Sequence, residues 1–150
     1  MSTLLVVHHT PSPATRELLE AVLAGARDPE ITGVVVRPLP ALGATIPDVL
    51  AADGYLLGTP ANFGYMSGAL KHFFDTVYYP CLDAVAGRPL GVWTHGNNDT
   101  VGAVRAILKL TGGLGWQPVA EPLELTGAPD AAARDACYEL GATVAASLME

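Results

Sequence analysis

Cysteine is nearly absent from this 150-residue chain: Cys81 and Cys137 form neither a CxxC nor a disulfide framework. Both fall in or beside segments with helical spacing, so they read as buried free thiols. Charge is scarce too. Charged residues make up 15% of the chain, and eight Lys and Arg face 15 Asp and Glu for a formal net charge of -7. So acidic a chain lacks the basic surface that neutralises phosphates, which argues against nucleic acid as a partner. Long apolar runs are missing as well: none approaches the roughly 18 residues of a membrane span. Leu4–Val7 is too short for a signal peptide and has no basic region before it. The expected location is cytoplasmic, and on that reading the sequon Asn98-Asp99-Thr100 is accidental.

What the chain does have is apolar residues, 50% of the total, enough to build one domain over residues 1–150 without staples. Thr3–Val7 reads as a strand buried on both faces. Residues 15–26 carry Leu18, Leu19, Val22, Leu23 and Ala26 at helical spacing. A second β-branched run covers Thr32–Val36, and a proline-rich passage from Pro38 to Pro47 leads through a short helix at 48–52 to a strand at Tyr55–Gly58. Leu70, Phe73, Phe74 and Val77 define a helix over 67–79, followed by a strand at Leu90–Thr94 and a helix over 100–111 that Gly112-Gly113 ends. Val119–Leu125 is a weaker strand, fit for a sheet edge because Pro122 interrupts it, and a helix over 129–149 closes the chain. Strand and helix alternate five times, which predicts a three-layer α/β sandwich with a parallel sheet. The expected order is 2-1-3-4-5, with right-handed crossovers and a ligand site beyond the carboxyl ends of the strands.

Three segments lie at those ends. The first, "HHTPSPATREL", sets Thr10, Ser12 and Thr15 at the mouth of a helix whose unpaired N–H groups can hold a phosphate or simply receive a cap. The second, "GTPANFGYMSG", offers glycines for close backbone approach, Thr59 and Asn62 for hydrogen bonds, and Phe63 and Tyr65 for packing on a ring; the plain alternative is a strand-to-helix turn. The third, "THGNNDT", is small and polar, suited to a ring edge or to a solvated turn in which Asn98 or Asp99 caps the next helix. His95 stands in it, open between hydrogen-bonding a ligand and facing solvent. His8 and His9 leave a strand with side chains pointing apart and no partner at ligand spacing, so no metal is expected.

Together these segments fit a flavin mononucleotide. "ADGYLLGTPANFGYMSGALKHFFD" resembles the flavin-binding segment of the WrbA-like NAD(P)H:quinone oxidoreductases of the flavodoxin family, with their GTP-x-x-FG-x-M pattern. "TPSPAT" is similar to the flavodoxin phosphate loop, with Pro13 and Ala14 where that loop carries Gly-Asn and with Pro11 between two hydroxyl positions. The resemblance implies non-covalent FMN, with NAD(P)H as electron donor and a quinone-like or other small-molecule acceptor, or a redox protein. Phosphate contacts would fall to Thr10, Ser12, Ala14 and Thr15, and ring contacts to Thr59, Pro60, Ala61, Asn62, Phe63, Gly64, Thr94, His95, Gly96 and Asn97. His95 is the candidate catalytic side chain beside chemistry centred on the flavin N5. A flavodoxin-type electron carrier and a flavin-less binding module are the alternatives. Relatives of this kind often self-associate, and Tyr78–Cys81 is read as an exposed contact for a homo-oligomer.

Overall fold

In the computed structural model, which describes residues 1–150, Leu4, Leu5, Val6 and Val7 have no exposed surface. Helices cover both faces of the strand that carries them, as its unbroken apolar run predicts. That strand is β1 (Ser2–His8), followed by α1 (Pro13–Ala26), β2 (Val34–Pro40), a 3-10 turn at Ala41–Gly43 and α2 (Ile46–Ala51). Next come β3 (Gly54–Asn62), β4 (Tyr65–Met66), α3 (Gly68–Cys81), β5 (Pro89–Gly96), α4 (Val101–Leu114), β6 (Gln117–Pro118), β7 (Leu123–Thr126) and α5 (Ala131–Ala146).

The parallel strands run in the order β2-β1-β3-β5, and β6 and β7 both pair with the outer side of β5. Those two short strands share one position. The expected order of five is therefore present, with its last strand broken in two around Pro122. Neighbouring residues of each strand face opposite layers. Leu5, Val7, Tyr55, Leu57 and Val92 join Phe73, Phe74 and Trp116 in one core, and Leu4, Val6, Leu56 and Trp93 join Leu18, Val22, Cys137 and Val144 in the other. In the second, α1 and α5 meet backbone to backbone: a Cβ on Gly25 would fall 1.9 Å from Tyr138 O, and one on Gly141 would fall 2.0 Å from Val22 O. Burial pushes the pKa of both thiols up, that of Cys137 to about 12, so neither is a ready nucleophile.

Several boundaries differ from the sequence reading for identifiable reasons. β2 begins at Val34 and continues through Pro38 to Pro40, because an edge strand needs N–H donors on one side only. α4 passes through Gly112-Gly113 and ends where Gly115 adopts φ +79, the left-handed cap. Gly113 instead gives room to α3, since a Cβ there would fall 2.2 Å from the Tyr78 hydroxyl. Tyr78–Cys81 is the last turn of α3 rather than a loop, and Cys81 is buried.

Candidate active site

β1, β3 and β5 are adjacent and parallel, so their carboxyl ends open side by side. His8 is in register with Gly58, and Pro60 with His95. The His9 N–H donates to Gly58 O at 3.0 Å, which ties the first loop to β3 as it leaves the sheet.

The first loop closes largely on itself. Ser12 is the N-cap of α1: its Oγ accepts from Thr15 N at 3.2 Å while the Ser12 N–H donates to Thr15 Oγ1 at 3.0 Å. The Thr15 hydroxyl in turn donates to Ser12 O at 3.0 Å. This is a reciprocal capping box, and it uses two of the three hydroxyls that the sequence reading turned toward phosphate. The third, on Thr10, lies 3.1 Å from His8 Nδ1. Pro11 and Pro13 have no N–H, so the Thr10 and Ala14 N–H groups are the two in this loop without an acceptor in the chain. Burial, and then the charge of His9, hold the His8 imidazole below its ordinary acidity range.

The second loop is a hairpin that the sequence reading took for open loop. β3 runs on to Asn62 and pairs antiparallel with β4, Ala61 opposite Met66 and Asn62 opposite Tyr65. Two residues, Phe63 and Gly64, make the turn at φ +53 and +72, the left-handed pair of a type I′ turn. Glycine and asparagine suit such positions, so a phenylalanine there is a strained choice. Phe63 gains nothing for the fold in return, because its side chain is fully exposed at 107%. Asn62 is exposed also, with no hydrogen bond to the side chain. The hairpin rests on α4, where a Cβ on Gly102 would stand 2.0 Å from Gly64 O. Sequence reasoning missed Gly102; the signal was a lone glycine inside an otherwise helical run, which marks close backbone approach.

The side chains of Thr59 and Thr94 point away from the loop surface. Pleat parity turns both toward the α3–α4 layer, where they are buried. The Thr59 hydroxyl donates to Pro60 O at 2.8 Å and accepts from Ser67 N at 3.0 Å, anchoring the hairpin to the start of α3. The Thr94 hydroxyl donates to Leu123 O at 3.0 Å. Both were expected on the ring; both are internal fasteners. His95, one residue on, faces the α1–α5 layer. Its Nε2 donates to Gly127 O at 2.6 Å, so it carries the proton on that nitrogen and orders the turn after β7. It lines a cavity of about 280 Å³ with Leu18, Thr126, Gly127 and Asp130. That hydrogen bond commits Nε2 to the turn after β7, on the α1–α5 side of the sheet. Gly96 is buried against Ala61, and Asn97 is exposed with its amide unused. Thr100, rather than Asn98 or Asp99, is the N-cap residue of α4, and its hydroxyl donates to Glu124 Oε1 at 3.0 Å.

The residues present suit a flavin in two unequal parts. For a flat ring with polar edges there is an exposed aromatic, two free amides and a glycine turn. For a phosphate there are two free N–H groups at a helix mouth.

This is the architecture of the flavodoxin-like proteins. The flavodoxin-like, WrbA-like protein of Agrobacterium tumefaciens superposes with a TM-score of 0.80 at 21% identity, covering 100% of both chains. Residues 13–127 match the NADPH-dependent FMN reductase family, and the chain belongs to it. A flavodoxin of Aquifex aeolicus is 35% identical over 103 residues, 65% of this chain and 55% of its own. A probable NAD(P)H dehydrogenase (quinone) of Arabidopsis thaliana is 28% identical over 109 residues, 69% of this chain and 36% of its own. The matched part thus spans between about a third and about half of those relatives' lengths. No helix is long and apolar enough to cross a membrane.

Proposed function

We propose that this chain binds FMN non-covalently where β1, β3 and β5 end, and passes electrons from NAD(P)H to a quinone-like or other small acceptor. Phe63 carries the reading. A fully exposed phenylalanine in a left-handed turn costs the fold about 1 kcal/mol or more, and a functional ring contact is the reason to keep it. Bound FMN supplies the hydride and electron chemistry; the protein binds it, orients it and shields it from water. In this role Phe63 packs on the isoalloxazine, and Asn62 and Asn97 hydrogen-bond its polar edges. Gly64 lets the backbone come close, Gly96 lets β5 pack against Ala61, and Pro60 and Ala61 wall the ring on the side of β3. The Thr10 and Ala14 N–H groups receive the phosphate, assisted by the partial positive charge at the start of α1.

The test is whether purified chain quenches FMN fluorescence on titration, and whether the loaded protein then oxidises NADPH with a soluble quinone as the sole acceptor. Binding with turnover supports the reductase. Tight binding without turnover favours the carrier role, to which the Aquifex relative lends weight. No binding of any flavin removes both.

A further inference from the structure

The chain has eight basic residues, and half of them are engaged. Arg37 pairs with Asp48 at 3.2 Å, Lys71 with Asp75 at 2.7 Å, and Arg134 with Glu17 at 3.3 Å. Arg88 turns inward and donates to the Val49, Leu50 and Ala52 carbonyls at the end of α2. The other four, Arg16, Arg27, Arg105 and Lys109, are exposed and have no ion-pair partner. Arg27 caps the far end of α1, away from the three loops. Arg105 and Lys109 stand one turn apart on α4, a helix without a single Asp or Glu.

Their place on that helix matters. Val101, Arg105 and Lys109 recur every four residues and are all exposed, so they form one row. The row begins beside the hairpin, where Gly102 packs against Gly64 O, and each step along it rises about 6 Å. Exposed apolar groups (Phe63, and Val101 at 56%) therefore stand at one end and two free cations farther along. A dinucleotide has that sequence of parts: a flat ring, then phosphates. A donor of several negative charges also meets a chain of net charge -7, so its approach needs local positive charge where it lands.

We propose that Arg105 and Lys109 hold the phosphates of the NADPH electron donor, with its nicotinamide toward Phe63 and Val101. The guanidinium grips phosphate oxygens in a two-point fork, and the ammonium adds a point charge one turn on. The inference rests on the reading of the hairpin end as the flavin site.

Arg105→Glu and Lys109→Glu test it, singly and together, with Arg27→Glu as a control of equal charge change. The measurements are the affinity for 2′,5′-ADP by calorimetry, KM and kcat for NADPH in the FMN-loaded protein, and FMN affinity by fluorescence quenching. Each reversal is expected to raise KM and weaken 2′,5′-ADP about tenfold, roughly the loss of one charge-assisted contact. FMN affinity and kcat stay unchanged, and Arg27→Glu shifts nothing by more than about twofold, as screening of a distant surface charge requires. The proposal is overturned if the α4 variants lose no more than the control, if they lose FMN affinity in parallel, or if the unaltered protein does not bind 2′,5′-ADP. Should 2′,5′-ADP bind through these residues while FMN does not bind at all, the flavin reading falls and the electron-donor role falls with it, leaving Arg105 and Lys109 as phosphate contacts alone.

Discussion

The first loop and the hairpin leave neighbouring strands of the same sheet, yet they treat their polar groups in opposite ways. In the loop, Ser12 and Thr15 satisfy one another and the start of α1, leaving the N–H groups of Thr10 and Ala14 free. In the hairpin, Asn62 and Phe63 are exposed and the Asn62 amide makes no hydrogen bond in the chain, while the buried Thr59 holds the base of the turn. The first loop thus spends its hydroxyls on the fold, while the hairpin leaves its tip exposed. The same kind of substitution should act on different observables according to which loop it enters.

The largest effect is expected where the hairpin meets its support. Gly102→Val inserts a side chain into the space taken by Gly64 O, which is backbone and has no rotamer to give. Overpacking of this sort costs about 1–3 kcal/mol, and moving the hairpin should weaken FMN at least tenfold. Retention of full FMN affinity in a folded Gly102→Val protein would show that the hairpin position does not matter. Phe63→Gly comes next and separates the two observables. Thermal denaturation should show a gain of about 1 kcal/mol because the turn is relieved. FMN affinity should fall by about 2 kcal/mol because the aromatic area is lost.

In the first loop the expected order is reversed. Ser12→Ala removes the cap and should cost about 1 kcal/mol in urea unfolding, with the preference for FMN over riboflavin little changed. That preference itself is expected near a hundredfold, since two N–H bonds to a charged group contribute about 3 kcal/mol. Equal affinity for the two flavins would leave the loop a helix cap and nothing more. The smallest effect concerns His8, whose pKa lies below the ordinary 6.5. Just below that pH the unfolded chain takes up the proton more readily than the folded one. Stability present above pH 6.5 is therefore lost as pH falls through the lowered value. His8→Gln should flatten that decline, read as the urea midpoint at about pH 5.5 against about pH 7.5.

Most of the architecture was legible because apolar periodicity is local. Leu4–Val7 announces a strand covered on both faces, and Leu18, Val22 and Ala26 announce the helix that covers one of them. The candidate site was read as three segments, whose placement side by side follows from the strand order, but the directions of individual side chains were not legible. Thr59, Thr94 and His95 lie within a residue of the strand ends expected from sequence, and which way each points depends on pleat parity, which continues four residues past Gly58 and two past Thr94. The hairpin was hidden for a related reason: its turn carries Phe63 where glycine or asparagine would have signalled it. Phe63 was picked out as a ring contact from its residue type, while the backbone strain behind it needed coordinates. Gly112-Gly113 misled because a glycine that makes room for Tyr78 is indistinguishable in sequence from one that ends a helix.

The two rims of the sheet have a consequence for how copies of the chain behave when crowded. On one rim β2 carries Pro38 and Pro40, and on the other Pro118 and Pro122 bracket the gap between β6 and β7. A strand arriving from another molecule needs a continuous row of donors and acceptors, and neither rim presents one. Half of the residues are apolar and the central strands carry buried apolar runs such as Leu4–Val7 and Tyr55–Leu57, a composition that invites cross-molecular stacking whenever an edge lies open. The prolines that weaken both outer strands thereby guard the inner ones against growth into fibres.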